Sequence, residues 1–263
     1  VIPENILIKW RRDAAPWQSF GLVEQDLILS RALVEIYSNP YLQKTLAFRG
    51  GTALHKLFLS PPHRYSEDID LVQITAEPIG KVLDQLRVVL GFLGKPQVER
   101  GDRMVNMRFS YQTEMPPVVT LKLKIEINCR EHFTELGYIH KDFEVNTEWF
   151  SGKCEIVTNR IEELLGTKLR ALYQRRKGRD LYDLYMVITK ADIDIPLLIQ
   201  CYKRYMAFSV ETPPSGTEFL QNMEAKMKVR QFIEDTTALL RPDEKYNQHE
   251  AYELVKEKIL TYL

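Results

Sequence analysis

Asp68 and Asp70 stand two residues apart in a short apolar run, with Ile69 and Leu71 as their neighbours. Two carboxylates on alternate positions of a strand share one face, where they repel unless a cation joins them. A divalent metal ion satisfies both at once. Upstream, Gly50 and Gly51 open a short amphipathic stretch. A glycine pair at a helix start exposes backbone N–H groups that suit an anion, and the Ser66 hydroxyl stands close by in sequence. Metal-holding acids beside an anion cradle point to a metal–polyphosphate ligand. A third acid, Glu126, lies in the alternating run VVTLKLKIEINC. There it shares the polar face with Thr120, Lys122, Lys124 and Asn128, while Leu121, Leu123, Ile125 and Ile127 face the other way. Three converging acids are the arrangement for metal-assisted phosphoryl chemistry, and for Glu126 the alternative is a place on a solvated sheet face.

Further along, Lys168 sits among Leu164, Leu165, Leu169 and Leu172 at the edge of an apolar helical stripe. Its ammonium could snorkel to water or reach phosphates as a point charge. Arg170, Arg175, Arg176, Lys177 and Arg179 form a basic cluster beside Asp180 and Asp183. That cluster could guide a nucleotide or an RNA backbone, with Lys122 and Lys124 as further candidates; it could equally be a solvated patch. Asp180 could cap a helix starting there, and Asp183 could pair with a nearby arginine. Cys129 and His132 lack a second pair at zinc-site spacing, and neither GxxxxGK nor GxGxxG occurs.

The elements that must hold these residues follow from periodicity. A helix is expected over 17–37, ended at Asn39-Pro40, and another over 52–59. A strand is expected over 68–73 and a strongly amphipathic helix over 78–93. Strands at 97–100 and 103–111 would join at Gly101-Asp102, and the best strand covers 118–129. Residues 131–157 read less clearly, with strands at 140–146 and 154–157. Helices follow at 160–174, 180–189, 196–207, 216–228, 230–240 and 248–262. The expected architecture is a mixed-sheet α/β (α+β) domain over 1–157 and a helical domain over 158–263 that completes the active-site cleft.

Composition narrows the classes. The 263 residues carry 36 Lys plus Arg against 36 Asp plus Glu, which argues against coating nucleic acid by bulk charge. No apolar run approaches the ~20 residues of a membrane span. VIPENILIKWRRD has no secretory leader pattern, and three widely spaced cysteines, Cys129, Cys154 and Cys201, read as free thiols, so a cytoplasmic setting without a membrane partner is expected.

Taken together, FRGGTALHKLF with RYSEDIDL, then KIEIN, then EELLGTKLRAL with RKGRDLYDL resemble the AbiEii/AbiGii-type nucleotidyltransferase toxins, which include mycobacterial members. The resemblance spans 46–184 in order; the tail beyond carries no matching motif. It implies a DNA polymerase beta-like nucleotidyltransferase fold with a helical C-terminal part. It also implies transfer of a nucleotide from an NTP with magnesium, or alternatively manganese, to an acceptor. The acceptor it implies is the 3′ end of tRNA, with translation blocked, and the implied partner is a cognate antitoxin. By motif, Gly50, Gly51 and Ser66 match the phosphate-binding residues, Asp68 and Asp70 the metal pair, and Glu126 the third acid. Lys168 and Asp180 match later catalytic residues, and Arg179 stands in the same motif as a nucleotide-binding candidate. Arg170, Arg175, Arg176 and Lys177 remain the RNA-binding candidates. The longer gap between glycines and acids departs from the general superfamily pattern and is typical of the toxin group. Two alternatives stay open: a protein or small-molecule acceptor, and a nucleotide-binding module without turnover.

Overall fold

The computed structural model describes residues 2–263 and divides into two compact units. One comprises the chain up to Phe133 together with Tyr138–Asn159; the other comprises Thr134–Gly137 and Arg160–Leu263.

The first unit is built on a seven-stranded sheet, β1 (Leu46–Arg49), β2 (Asp68–Gln73), β3 (Gln97–Arg100), β4 (Met104–Gln112), β5 (Thr120–Asn128), β6 (Tyr138–Asn146) and β7 (Ser151–Asn159), in the order β3-β4-β5-β2-β1-β7-β6. The sheet is mixed: β2 runs parallel to β5, β1 parallel to β7, and the other pairs are antiparallel. β5 is buried at Leu123, Ile125 and Ile127 and part-exposed at Lys124, Glu126 and Asn128, as its alternation predicts. β2 alternates likewise at its start, with Ile69 and Leu71 buried and Asp68 and Asp70 part-exposed. Each fully buried Leu or Ile of these strands contributes about 1.5–3 kcal/mol of burial.

Five helices belong to this unit: α1 (Glu4–Asp13), α2 (Phe20–Tyr37), α3 (Pro40–Thr45), α4 (Gly50–Leu57) and α5 (Gly80–Val89). Ser19 caps α2 through a bond accepted from the Leu22 N–H. The expected stop at Asn39-Pro40 is also a start. The Asn39 carboxamide accepts from the N–H groups of Tyr41 and Leu42, and Pro40 takes the first turn of α3, where no N–H is needed. The helix expected over 78–93 is shorter, because a 3-10 turn at Gly91–Leu93 replaces its last turn.

The second unit is helical: α6 (Ile161–Gln174), α7 (Gly178–Lys190), α8 (Ile195–Ser209), α9 (Gly216–Lys226), α10 (Arg230–Glu234) and α11 (Gln248–Lys258). The helix expected over 230–240 is only the short α10 and a 3-10 turn, Thr237–Leu239. α6 and α8 pack closely at Gly166, where a Cβ would come within 2.7 Å of the Cys201 Cβ. The segment Thr134–Gly137 is tied to α6 by the buried Glu163 carboxylate. Glu163 accepts from the Thr134 hydroxyl at 2.7 Å, the Glu135 N–H at 2.8 Å, the Leu136 N–H at 3.1 Å and the Tyr205 hydroxyl at 2.7 Å. Four donors satisfy a charge that burial alone would penalise. Cys129, Cys154 and Cys201 are free thiols, and among the described residues no helix is long and apolar enough to cross a membrane.

Candidate active site

In the first unit the strand register assembles an acid face. Asp68 lies opposite Lys124, and Asp70 opposite Glu126, on adjacent parallel strands. Residues directly opposite share a sheet face, so all four project to the same side. The row through Asp70 extends to Arg49 on β1 and, beyond Glu126, to Asn106 on β4. Asp68, Asp70 and Glu126 are therefore brought together by register.

Helix α4 forms the adjoining wall. Gly50 has φ +81°, a backbone conformation that side chains rarely adopt. A Cβ there would stand 2.0 Å from Asp70 Oδ2. The glycine thus lets the helix start come right up against the carboxylate. Two residues on, within the first turn, the buried Thr52 hydroxyl donates to the Asp68 carbonyl at 2.5 Å and lies 2.8 Å from Ser66 Oγ. Thr52 has one proton, which the carbonyl takes, so Ser66 is the donor to Thr52. This hydroxyl chain fixes Ser66 and the backbone of Asp68 to the same helix. At its other end α4 is anchored by Lys56, whose ammonium donates to Asp26 Oδ1 at 2.6 Å and to Ser30 Oγ at 3.0 Å. Asp26 is buried and also accepts from the indoles of Trp10 at 3.0 Å and Trp17 at 3.2 Å. Between the two ends is a polar cavity of about 10 Å³ lined by Trp17, Asp26, Thr52, His55, Lys56, Arg64 and Ser66 among others, room for about one water.

The acid face contains a cation that the sequence placed with RNA. Lys124 Nζ donates to Glu126 Oε2 at 2.5 Å. Burial disfavours the ammonium, but the bond to Glu126 and the charges of Glu126, Asp68 and Asp70 outweigh it and raise the Lys124 pKa above its ordinary value. Arg49 likewise meets Glu131 at 2.5 Å.

A second cluster lies in the helical unit. Lys168 does not snorkel to solvent: its side chain is 8% exposed, and Nζ stands 3.2 Å from Asp180 Oδ1 and 2.8 Å from Asp183 Oδ2. Asp180 also receives both arms of Arg175, at 2.7 and 2.8 Å. Burial pushes the Asp180 carboxyl up, but Lys168 and Arg175 outweigh it and hold it below the usual carboxylate value. Asp180 is therefore no cap; α7 begins at Gly178, and its N-cap Lys177 makes no side-chain capping bond. Of the remaining cations, Lys177 and Arg179 meet Asp235 at 3.6 and 3.3 Å, and Arg170 donates to Ser209 Oγ at 2.7 Å. Arg175 is 53% exposed despite its pairing, and Arg176 is exposed. A larger cavity of about 500 Å³ in this unit is lined by Ile195, Pro196, Ile199, Lys258 and Tyr262, and no candidate residue borders it.

No group of three or more His, Cys, Asp or Glu side chains is gathered for a metal ion among the described residues. The donor chemistry nevertheless fits a hard divalent cation. Asp68 and Asp70 offer oxygen ligands from one face, and Gly50 puts no side chain against Asp70. Glu126 is the exception, because Lys124 already holds it.

Sequence reasoning missed two contributors: Thr52 and the Asp26–Lys56 anchor. Thr52 follows the glycine pair directly, so its position in the first turn was readable. The anchor depends on a partner distant in sequence. Asp183, expected to pair with an arginine, meets Lys168 at 2.8 Å.

The sequence model of the family described as "Nucleotidyl transferase AbiEii toxin, Type IV TA system" matches residues 31–254. Among solved structures, the fold is similar to MenT4, a nucleotidyltransferase toxin from Mycobacterium tuberculosis H37Rv. That match has a TM-score of 0.68 at 18% identity, covering 98% of this chain and 90% of that one. It is also similar to JHP933 from Helicobacter pylori, with a TM-score of 0.57 at 18% identity, covering 90% and 89%. No curated protein sequence matches the chain.

Proposed function

The chain belongs to the nucleotidyl transferase AbiEii toxin family of type IV toxin–antitoxin systems, and on that premise we propose that it moves a nucleotide from an NTP to the 3′ end of tRNA. Membership makes the chain a nucleotidyltransferase and the toxin of a toxin–antitoxin pair, whose activity a cognate antitoxin opposes. The observation that carries the nucleotide half of this reading is the acid face: Asp68 and Asp70 in register with Lys124 and Glu126, with Gly50 pressed against Asp70; the tRNA acceptor is what the family resemblance implies.

In this reading the acceptor hydroxyl attacks the α-phosphorus of the NTP. A new O–P bond forms, the bond to the β-phosphate oxygen breaks, and pyrophosphate leaves. Asp68 and Asp70 would hold a divalent cation, magnesium or manganese, which would neutralise phosphate charge and ease loss of the hydroxyl proton. Gly50 and Gly51 lead the helix start toward the triphosphate, where backbone N–H groups meet its oxygens. Ser66 joins them by turning its proton from Thr52 to a phosphate oxygen. Glu126 is the third acid and accepts the proton or a share of the cation once Lys124 moves. Lys168 and Asp180, paired at 3.2 Å, take the catalytic roles that the resemblance implies for them. Arg175 and Arg176 meet RNA phosphates, with Arg170, Lys177 and Arg179 as lesser contributors.

The test is incubation of the purified chain with each α-labelled NTP, magnesium or manganese, and total tRNA. Label on the tRNA 3′ end is expected, falling by about 100-fold or more in Asp70→Asn, consistent with loss of a metal-holding carboxylate. No transfer from any NTP to any acceptor would overturn it. A second reading, a protein or small-molecule acceptor, is favoured by the internal pairing of Lys177 and Arg179 with Asp235, which reduces the positive charge offered to RNA. Label on protein or on a small hydroxylated compound, with tRNA unlabelled, would establish that reading instead.

A further inference from the structure

Lys124 is a group within the acid face whose charge opposes a bound cation and which is paired to one of the three acids. Its ammonium is 2.5 Å from Glu126 Oε2, and its strand position is directly opposite Asp68. The cross-strand neighbour of Glu126 is Asp70, so the lysine stands against all three acids of the proposed metal site. The pair is not sealed: the Lys124 and Glu126 side chains are 29% and 24% exposed. Such a part-exposed pair is weakly held, and the long lysine stem can swing away without moving the strand.

We propose that Lys124 is an internal competitor for the divalent cation: its ammonium and the metal claim the same carboxylates, and Glu126 becomes available only when Lys124 lets go. The inference rests on the reading of Asp68 and Asp70 as metal-holding residues. Two consequences follow. Affinity for the cation alone is low, because each binding event must separate Lys124 from Glu126 and place two positive charges near one another. And the released ammonium, anchored on the same strand, is left beside the acids with its charge unmatched, ready to meet an anionic phosphate. Lys124 is thus a positioning residue for Glu126 and a brake on cation binding without nucleotide.

The experiment titrates the full chain with Mn2+ in the absence of nucleotide, reading free Mn2+ by electron paramagnetic resonance. Wild type is compared with Lys124→Gln, Lys124→Arg and Asp70→Asn. Lys124→Gln is expected to bind Mn2+ about tenfold more tightly, the effect of removing one nearby charge at a part-exposed site. Lys124→Arg keeps the charge and is expected to stay within about twofold of wild type, while Asp70→Asn binds poorly. Lys124→Gln binding no more tightly than wild type, with Asp70→Asn still weak, overturns the competitor role and leaves the metal assignment standing. Asp70→Asn titrating like wild type overturns that assignment and the competitor role with it.

Discussion

At Gly50 the absence of one carbon decides where the Asp70 carboxylate can stand. A methyl group there would meet Asp70 Oδ2 at 2.0 Å and would have to be carried at φ +81°. Gly50→Ala therefore either moves Asp70 or rebuilds the start of α4. Nucleotide transfer is expected to fall by about 100-fold, since displacement of about 1 Å in a reacting constellation costs that much. Gly80→Ala is the control: nothing lies within 4 Å of a Cβ at Gly80, the first residue of α5. That change is expected to leave kcat/KM unaltered and to stabilise the fold by about 0.4–1 kcal/mol. Comparing kcat/KM and denaturation midpoints of the two variants checks both. The same residues show what a sequence reveals at this scale. Asp68, Asp70 and the glycine pair were legible because spacing alone puts like charges on one face and a bare backbone beside them. The commitment of Lys124 to Glu126 was not, because alternation gives the face of a side chain and not its partner.

Helices α6 and α7 hold the Lys168 network, and there the chemical reading and the stabilising role make different demands. Periodicity located both helices to within a few residues, yet it left Lys168 at a stripe edge facing water. Its burial depends on Asp180 and Asp183 arriving from the next helix, which no local pattern encodes. The boundary at Asn39-Pro40 was half legible for a similar reason: the same dipeptide ends α2 and caps α3. Lys168→Met would remove the buried ammonium that Asp180 and Asp183 share. Breaking one side of a buried pair costs about 3–5 kcal/mol, and that loss is expected in urea unfolding. Lys168→Met combined with Asp183→Asn should recover part of it, because the neutral amide no longer needs a counter-charge. A Lys168→Met variant with wild-type stability would show that the network does not hold α6 to α7. The Asp180 contribution has a definite pH sense. Its folded pKa lies below the unfolded value near 3.9, so the stability it adds is present above that value and fades as pH falls through the lower one.

At the scale of the whole chain, with equal numbers of acidic and basic side chains, the groups that bend the alkaline stability curve are those whose burial shifts them. Lys226 on α9 donates to the carbonyls of Leu172 and, at 2.7 Å, Tyr173, and so closes the last turn of α6. Burial lowers its pKa from 10.5 to about 8, with Asp180 opposing the shift and Arg176 adding to it. Between about pH 8 and 10 the unfolded chain keeps this proton and the native chain has lost it, so the Lys226 contribution to stability rises with pH through that window. Burial raises the thiols of Cys129, Cys154 and Cys201 above their ordinary value, so from about pH 9 they pull the other way. Above about pH 10 the tyrosines add to that fall. Burial raises Tyr37, Tyr65, Tyr111 and Tyr246 above the ordinary tyrosine value, so the unfolded chain loses their protons first and stability falls. Urea unfolding at intervals from pH 7 to 11 should separate these contributions. In Lys226→Met the curve should turn downward more steeply between pH 8 and 10, because the rising contribution of Lys226 is gone, while the fall above pH 10 persists because the buried thiols and tyrosines are untouched. A wild-type curve with no difference from Lys226→Met between pH 8 and 10 would mean that the two α6 carbonyls keep Lys226 charged through that range, and that hydrogen bonding rather than burial sets its proton.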